Sequence, residues 1–192
     1  MVKVGVLALQ GDVREHAHAL RESGATPVEV RHAAQLDDVD GLVIPGGEST
    51  TIGKLMDRFS LRAPLIERAR EGLPLYGTCA GLILMAKEVV GEDPAPHRLG
   101  VLDVAVRRNG YGRQVESFES DLEWAEDDQP FRAVFIRAPI VESVGGDVEV
   151  LARHKSHPVL VRQGRLLGST FHPEMTGDGR VHSAFVDIIK EA

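Results

Sequence analysis

The chain has 192 residues, with 22 Lys and Arg against 29 Asp and Glu for a formal net charge of −7, and 43% of it is hydrophobic. That length fits one domain, 1–192, and the mix is that of a soluble globular protein rather than a disordered one. The acidic balance argues against nucleic acid as a partner, and the single cysteine excludes an internal disulfide or a multi-cysteine zinc site and suggests a reducing, cytoplasmic setting.

The first apolar run, Val2–Leu9, is too short for a membrane span or a signal-peptide core and reads as a buried strand ending at Gln10-Gly11-Asp12. Val13, Ala17 and Leu20 then repeat at helical spacing as far as Ser23-Gly24. Val28–Val30, Gly41–Ile44 and Leu73–Tyr76 predict further strands. Helical periodicity runs through Ile52, Leu55, Met56 and Phe59, from Leu65 to Ala69, and over Ala80–Val89. Buried strands alternating with helices imply a parallel sheet covered on both faces.

Beyond residue 100 the pattern changes. Val101–Val106, Gln114–Phe118, Ala133–Ile136, Val148–Ala152, Pro158–Arg162 and Leu166–Thr170 are short runs separated by Gly, Pro, Asp and Asn. They predict antiparallel strands added beside the parallel core. Asp121–Pro130, acidic and without periodicity, reads as a surface loop, and Val181–Lys190 as a closing helix.

The sharpest local signal is Gly77-Thr78-Cys79-Ala80-Gly81, a Gly-x-Cys-x-Gly turn between a predicted strand and a predicted helix. This is the cysteine form of a nucleophile elbow, in which small neighbours permit a strained turn that presents the side chain at the sheet edge. A helix N-terminus favours thiolate, and the Ala80 N–H can stabilise an oxyanion. A nucleophile of this kind needs a base held by a third group. Phe171-His172-Pro173-Glu174 follows a strand-like run, and in extended chain His172 and Glu174 point to the same side.

The loop Pro45-Gly46-Gly47-Glu48-Ser49-Thr50-Thr51-Ile52-Gly53-Lys54 is not a P-loop. Five residues separate Gly47 from Gly53 where that motif has four, and Leu55 stands where Ser or Thr is needed. Its glycines still let backbone N–H groups approach a small polar ligand. His16 and His18, two apart on a helix, do not face each other, and His154 and His157 lie in a polar turn. None has a third partner at metal-ligand spacing, so no metal is expected. Arg107, Arg108 and Arg113 form the one basic cluster, which taken alone reads as a solvated face.

Together these motifs resemble the class I (triad) glutamine amidotransferases, and most closely the glutaminase subunits of pyridoxal 5′-phosphate synthases. The resemblance runs through Leu7–Gly11, Pro45–Thr51, Gly77–Leu84, Arg108-Asn109, Gly112–Gln114, Ser117–Glu119, Phe135–Pro139 and Phe171–Glu174. It implies a flavodoxin-like three-layer α/β fold and a Cys79–His172–Glu174 triad. It also implies L-glutamine contacts from Gly47, Glu48, Ser49, Arg108, Ile136 and Arg137, with the backbone of Gly47 and Ala80 holding the oxyanion. The implied partner is a synthase subunit that takes up the ammonia in a heteromeric complex, with Gln10 a candidate participant in that coupling. No cofactor and no membrane are implied. A free-standing cysteine hydrolase and a non-enzymatic module are the alternatives.

Overall fold

A computed structural model of the chain describes residues 1–91, 97–110, 117–124 and 127–192. Five parallel strands form its centre in the order β2-β1-β3-β4-β12, built from β1 (Lys3–Leu7), β2 (Thr26–Val30), β3 (Gly41–Ile44), β4 (Leu75–Thr78) and β12 (Leu166–Ser169). From β12 the same sheet continues antiparallel through β11 (His157–Gln163), β10 (Glu149–His154), β7 (Ser117–Trp124) and β8 (Asp127–Ile136). A separate sheet pairs β5 (Ala86–Val89), β6 (Leu102–Arg107) and β9 (Ile140–Val144).

Alternation along the central strands feeds two cores. Leu42 and Ile44 of β3 join one with Ile52, Met56, Leu65 and Leu82, beneath α2 (Ser49–Arg58), α3 (Arg62–Arg70) and α4 (Ala80–Met85). Val43 faces the other with Leu20, Phe185, Val186 and Ile189, beneath α1 (Val13–Glu22) and α5 (Arg180–Lys190). The expected α/β three-layer fold, a parallel core extended by antiparallel strands, is therefore present. Its strand order is the flavodoxin-like one, which leaves a crevice at the carboxyl ends of β1 and β3. Among the described residues no helix is long and apolar enough to cross a membrane.

Two expectations need correction. The helix expected over Ala80–Val89 stops at Met85, because Ala86 turns extended (φ −58°, ψ 142°) and residues 86–89 pair with β6. Lys87 and Glu88 are good helix formers and no Gly or Pro lies between Met85 and Val89, so the local sequence gives no stop signal there. The acidic stretch expected as a loop is most of a hairpin instead. Leu122 and Trp124 turn inward, while Glu119 and Asp121 meet Arg132 of the neighbouring strand at 2.9 and 3.0 Å. Its charges are the solvent face of a period-2 pattern. Of the strand expected at Gln114–Phe118, Ser117 and Phe118 lie in β7, and residues 114–116, with Gly112 and Arg113, lie outside the described ones. Strand β9 was not expected at all.

Candidate active site

Four loops leaving the carboxyl ends of adjacent parallel strands meet at one edge of the sheet. The β4–α4 turn carries Cys79 at φ 46°, ψ −98°, a conformation that non-glycine residues rarely adopt and that persists where surrounding structure imposes it. The imposition is visible. Cys79 N–H donates to the Ser169 carbonyl at 2.8 Å, and a Cβ on Gly81 would collide with the Ile44 carbonyl oxygen. The elbow is thus clamped between β3 and β12, with the thiol 3.8 Å from the Ile136 carbonyl oxygen.

His172 follows β12, its N–H bonded to the Val134 carbonyl at 2.8 Å. Glu174 Oε1 lies 2.7 Å from its Nδ1, which leaves Nε2 for the thiol. Both side chains are buried, that of Glu174 completely. Burial disfavours the imidazolium, but bonds to Asp12, Cys79 and Glu174 outweigh it and push His172 up to about 12. Glu174 is shifted upward too, with burial the leading cause.

The β3–α2 loop supplies the opposite wall. The Glu48 carboxylate caps α2 by accepting from the N–H groups of Thr50 (2.9 Å) and Thr51 (2.8 Å). Burial pushes this carboxyl up, yet those bonds and the Thr51 hydroxyl prevail and bring it down to about 2. Arg108 reaches Glu48 and Thr50, each at 3.3 Å. Gln10, from the β1–α1 loop, accepts the Glu48 N–H on its Oε1 at 2.9 Å.

The enclosed cleft has a volume of about 310 Å³. Among its lining residues are Gln10, Gly47, Glu48, Ser49, Cys79, Ala80, Arg108, Ile136, Arg137 and His172. Every residue that the sequence assigned to the site lines it except Glu174, which stands behind His172. Asn109 and Arg137, also lining it, have positive φ of 48° and 43°. A larger cleft of about 790 Å³ lies beside β5 and β6, lined by Lys87, Arg98 and Asp103 among others, and contains none of these groups.

Sequence reasoning missed a second layer behind Glu174. His16 Nε2 lies 3.1 Å from Thr78 Oγ1 and 3.5 Å from Glu174 Oε1, and its Nδ1 lies 2.9 Å from His182 Nε2. Burial holds both histidines below their ordinary value, His182 at about 4, so both are neutral. The tautomer with the proton on His16 Nε2 directs it at Thr78 Oγ1 and the Glu174 carboxylate, where a lone pair would oppose the anion. His182 then donates from Nε2 to His16 Nδ1, and the chain of donors runs toward Glu174. The signal was present in the sequence. His16 shares helical spacing with Val13 and Leu20, as His182 does with Phe185, Val186 and Ile189, which places both on buried stripes.

A strained cysteine at a strand-to-helix elbow, a buried histidine and a carboxylate stand together as the parts that a triad-type cysteine nucleophile needs. Residues 6–191 match the SNO glutamine amidotransferase family, and the chain belongs to that family. It is 59% identical over 187 residues to a pyridoxal 5′-phosphate synthase subunit PdxT of Mycobacteroides abscessus, covering 97% of both chains. It is 58% identical over 191 residues to the subunit of that name from Frankia casuarinae, covering 99% of this chain and 96% of that one. A crystal structure of a glutamine amidotransferase superposes with a TM-score of 0.92 at 53% identity, over 97% of this chain and 98% of the other.

Proposed function

We propose that this chain is the glutaminase of a pyridoxal 5′-phosphate synthase, a single domain that hydrolyses L-glutamine to L-glutamate and ammonia at Cys79. The carrying observation is the 2.7 Å His172–Glu174 contact behind a cysteine held in an elbow. The Cys79 thiolate attacks the side-chain amide carbon of glutamine. N–H groups of Gly47 and Ala80 hold the oxyanion, each worth about 3–4 kcal/mol when aligned. His172 protonates the leaving ammonia and then activates the water that cleaves the γ-glutamyl thioester, while Glu174 fixes the imidazole tautomer.

Glu48, charged down to about pH 2, suits the α-ammonium of the substrate. Arg108 is already tied to Glu48, whereas Arg137 is exposed at the mouth, so Arg137 closes on the α-carboxylate with its planar fork. Ile136 and Ser49 complete the wall.

The ammonia passes to a partner synthase subunit, which condenses it with ribose 5-phosphate and glyceraldehyde 3-phosphate to give pyridoxal 5′-phosphate. Gln10, whose side chain occupies the Glu48 N–H, is placed to couple docking to the oxyanion loop. We assign the chain to the cytoplasm, where a lone catalytic thiol stays reduced. The test is glutamate release from glutamine with and without the synthase. A rise on docking is expected, and equal rates would refute the coupling. Cys79→Ala is expected to abolish turnover, and retained activity would remove the nucleophile assignment.

A further inference from the structure

His172 has a second carboxylate beside the one already described. Asp12 Oδ2 lies 3.3 Å from Nδ1, the same nitrogen that Glu174 Oε1 meets at 2.7 Å. The position of Asp12 makes this contact informative. It occupies the N-cap of α1, where an aspartate ordinarily accepts a bond from the N–H groups of the first turn, yet its side chain makes no capping bond. The carboxylate is turned to the histidine instead.

The backbone around it is arranged for that contact. Asp12 N–H donates to the Gly46 carbonyl at 3.2 Å, stitching the β1–α1 loop to the β3–α2 loop. Gly46 lies where any side chain would intrude, since a Cβ there would fall 2.9 Å from both Asp12 Oδ2 and His172 Nδ1. The two carboxylates also sit at different depths: the Glu174 side chain is 0% exposed, and that of Asp12 is 26% exposed on the cleft wall.

We propose that Asp12 is a second positioning carboxylate for His172, sharing its Nδ1–H with Glu174 in a three-centre hydrogen bond. This rests on the triad reading of Cys79, His172 and Glu174. The ionisable groups around the imidazole are Cys79 at the elbow, Glu174 after β12, Asp12 at the start of α1, and His16 on α1 behind Glu174. His16 is neutral, so the balance at His172 is set by two carboxylates and one thiol. Asp12 and Glu174 repel each other, and an imidazolium between them relieves the repulsion. The buried carboxylate fixes the ring's tautomer. The shallower one adds to the stabilisation of the imidazolium that forms when the thiol gives up its proton. When Glu174 is neutralised, Asp12 remains to hold the whole of the Nδ1–H.

The test is a double-mutant cycle on the docked glutaminase–synthase complex, with Asp12→Asn, Glu174→Gln and the double variant read as kcat/KM for glutamine. Asp12→Asn is expected to cost several-fold alone and on the order of tenfold more in the Glu174→Gln background, because residues that share one proton are not independent. The high-pH limb of kcat/KM, where His172 loses its proton, is expected to move to lower pH in Asp12→Asn; a role in folding alone would leave it in place. Equal fold-losses in the two backgrounds, or an unmoved limb, would overturn the inference. Asn keeps the backbone N–H and the side-chain volume, and Asp12→Ser repeats the cycle if the Asn variant does not fold. Cys79→Ala and His172→Ala keep the two readings apart. Turnover in either removes the triad itself, whereas two dead variants with multiplicative Asp12 and Glu174 effects remove only the second carboxylate.

Discussion

At the scale of single residues, the site concentrates unusual backbone and burial where chemistry is needed. Cys79, Asn109 and Arg137 line one cleft and all have positive φ, so packing elsewhere must hold three residues in conformations they do not prefer. Arg137 is the most directly testable. Arg137→Ala is expected to raise KM for glutamine about tenfold or more while leaving kcat within a few-fold, since a charge-assisted fork contributes roughly 1.5–3 kcal/mol to binding. Initial-rate measurements over a glutamine series separate the two constants, and a fall in kcat at unchanged KM would contradict the role. Cys79, His172 and Glu174 could be read directly because their spacing is local: an elbow spans five residues and the His-x-Glu pair three. His16 could not be paired with Glu174 in the same way. Its burial was implied by helical spacing, but its partner lies far along the chain and becomes a neighbour only through the packing of α1 against the sheet.

At the scale of elements, α2 ties stability to the proposed substrate contact through one cap. Glu48 accepts two first-turn N–H groups and also lines the cleft. Glu48→Ala is expected to cost about 1 kcal/mol of stability, a fall in Tm of roughly 2–4 °C for a chain of this size, together with a higher KM. Thermal melts and kinetics on the same preparation check both, and a variant that lost only one property would separate the two roles. The elements that sequence reasoning misread share a physical cause. Residues 86–89 are Ala-Lys-Glu-Val, which carry no helix-stop signal, so nothing local ends the helix at Met85. The β7–β8 hairpin carries its acids on the outer face, where they meet Arg132, a cross-strand partner that only pairing reveals. The central strands were legible because they are buried on both faces and read as continuous apolar runs.

For the molecule as a whole, the buried histidines set the response to acid. His182 in the fold has a value of about 4 against 6.5 for the ordinary side chain, so between those limits the unfolded chain takes up a proton that the folded one refuses. Its contribution is present above pH 6.5 and lost as pH falls toward 4, by about 3 kcal/mol across the window. His16 is shifted in the same direction. Glu174, shifted upward, takes up its proton first in the fold and offsets part of that loss, whereas His172 does not. Raised to about 12, its contribution is fully present below pH 6.5 and fades only as pH rises above that. Tm is therefore expected to fall between pH 6.5 and 4. In His182→Gln, which can still donate to His16 but cannot become charged, the fall is expected to be shallower even if stability at pH 7 is lower. An equally steep fall in that variant would place the acid sensitivity elsewhere.

The pairing of β12 beside β4 also bears on the order in which the chain is synthesised. Tyr76 and Ser169, hydrogen-bonded across those strands at 3.1 Å, are separated by 93 residues. Cys79 leaves the ribosome well before the segment that brings His172, and the closing of such distant contacts is a slow step in folding. Until residues 166–174 join the sheet, the elbow lacks both the Ser169 carbonyl that clamps it and the imidazole of His172. On the proposed triad, a nascent or truncated chain carries the thiol without its base. On that reading, glutamine breakdown waits for a molecule whose last parallel strand is seated, and an unfinished protein is kept from draining the cell's amide nitrogen.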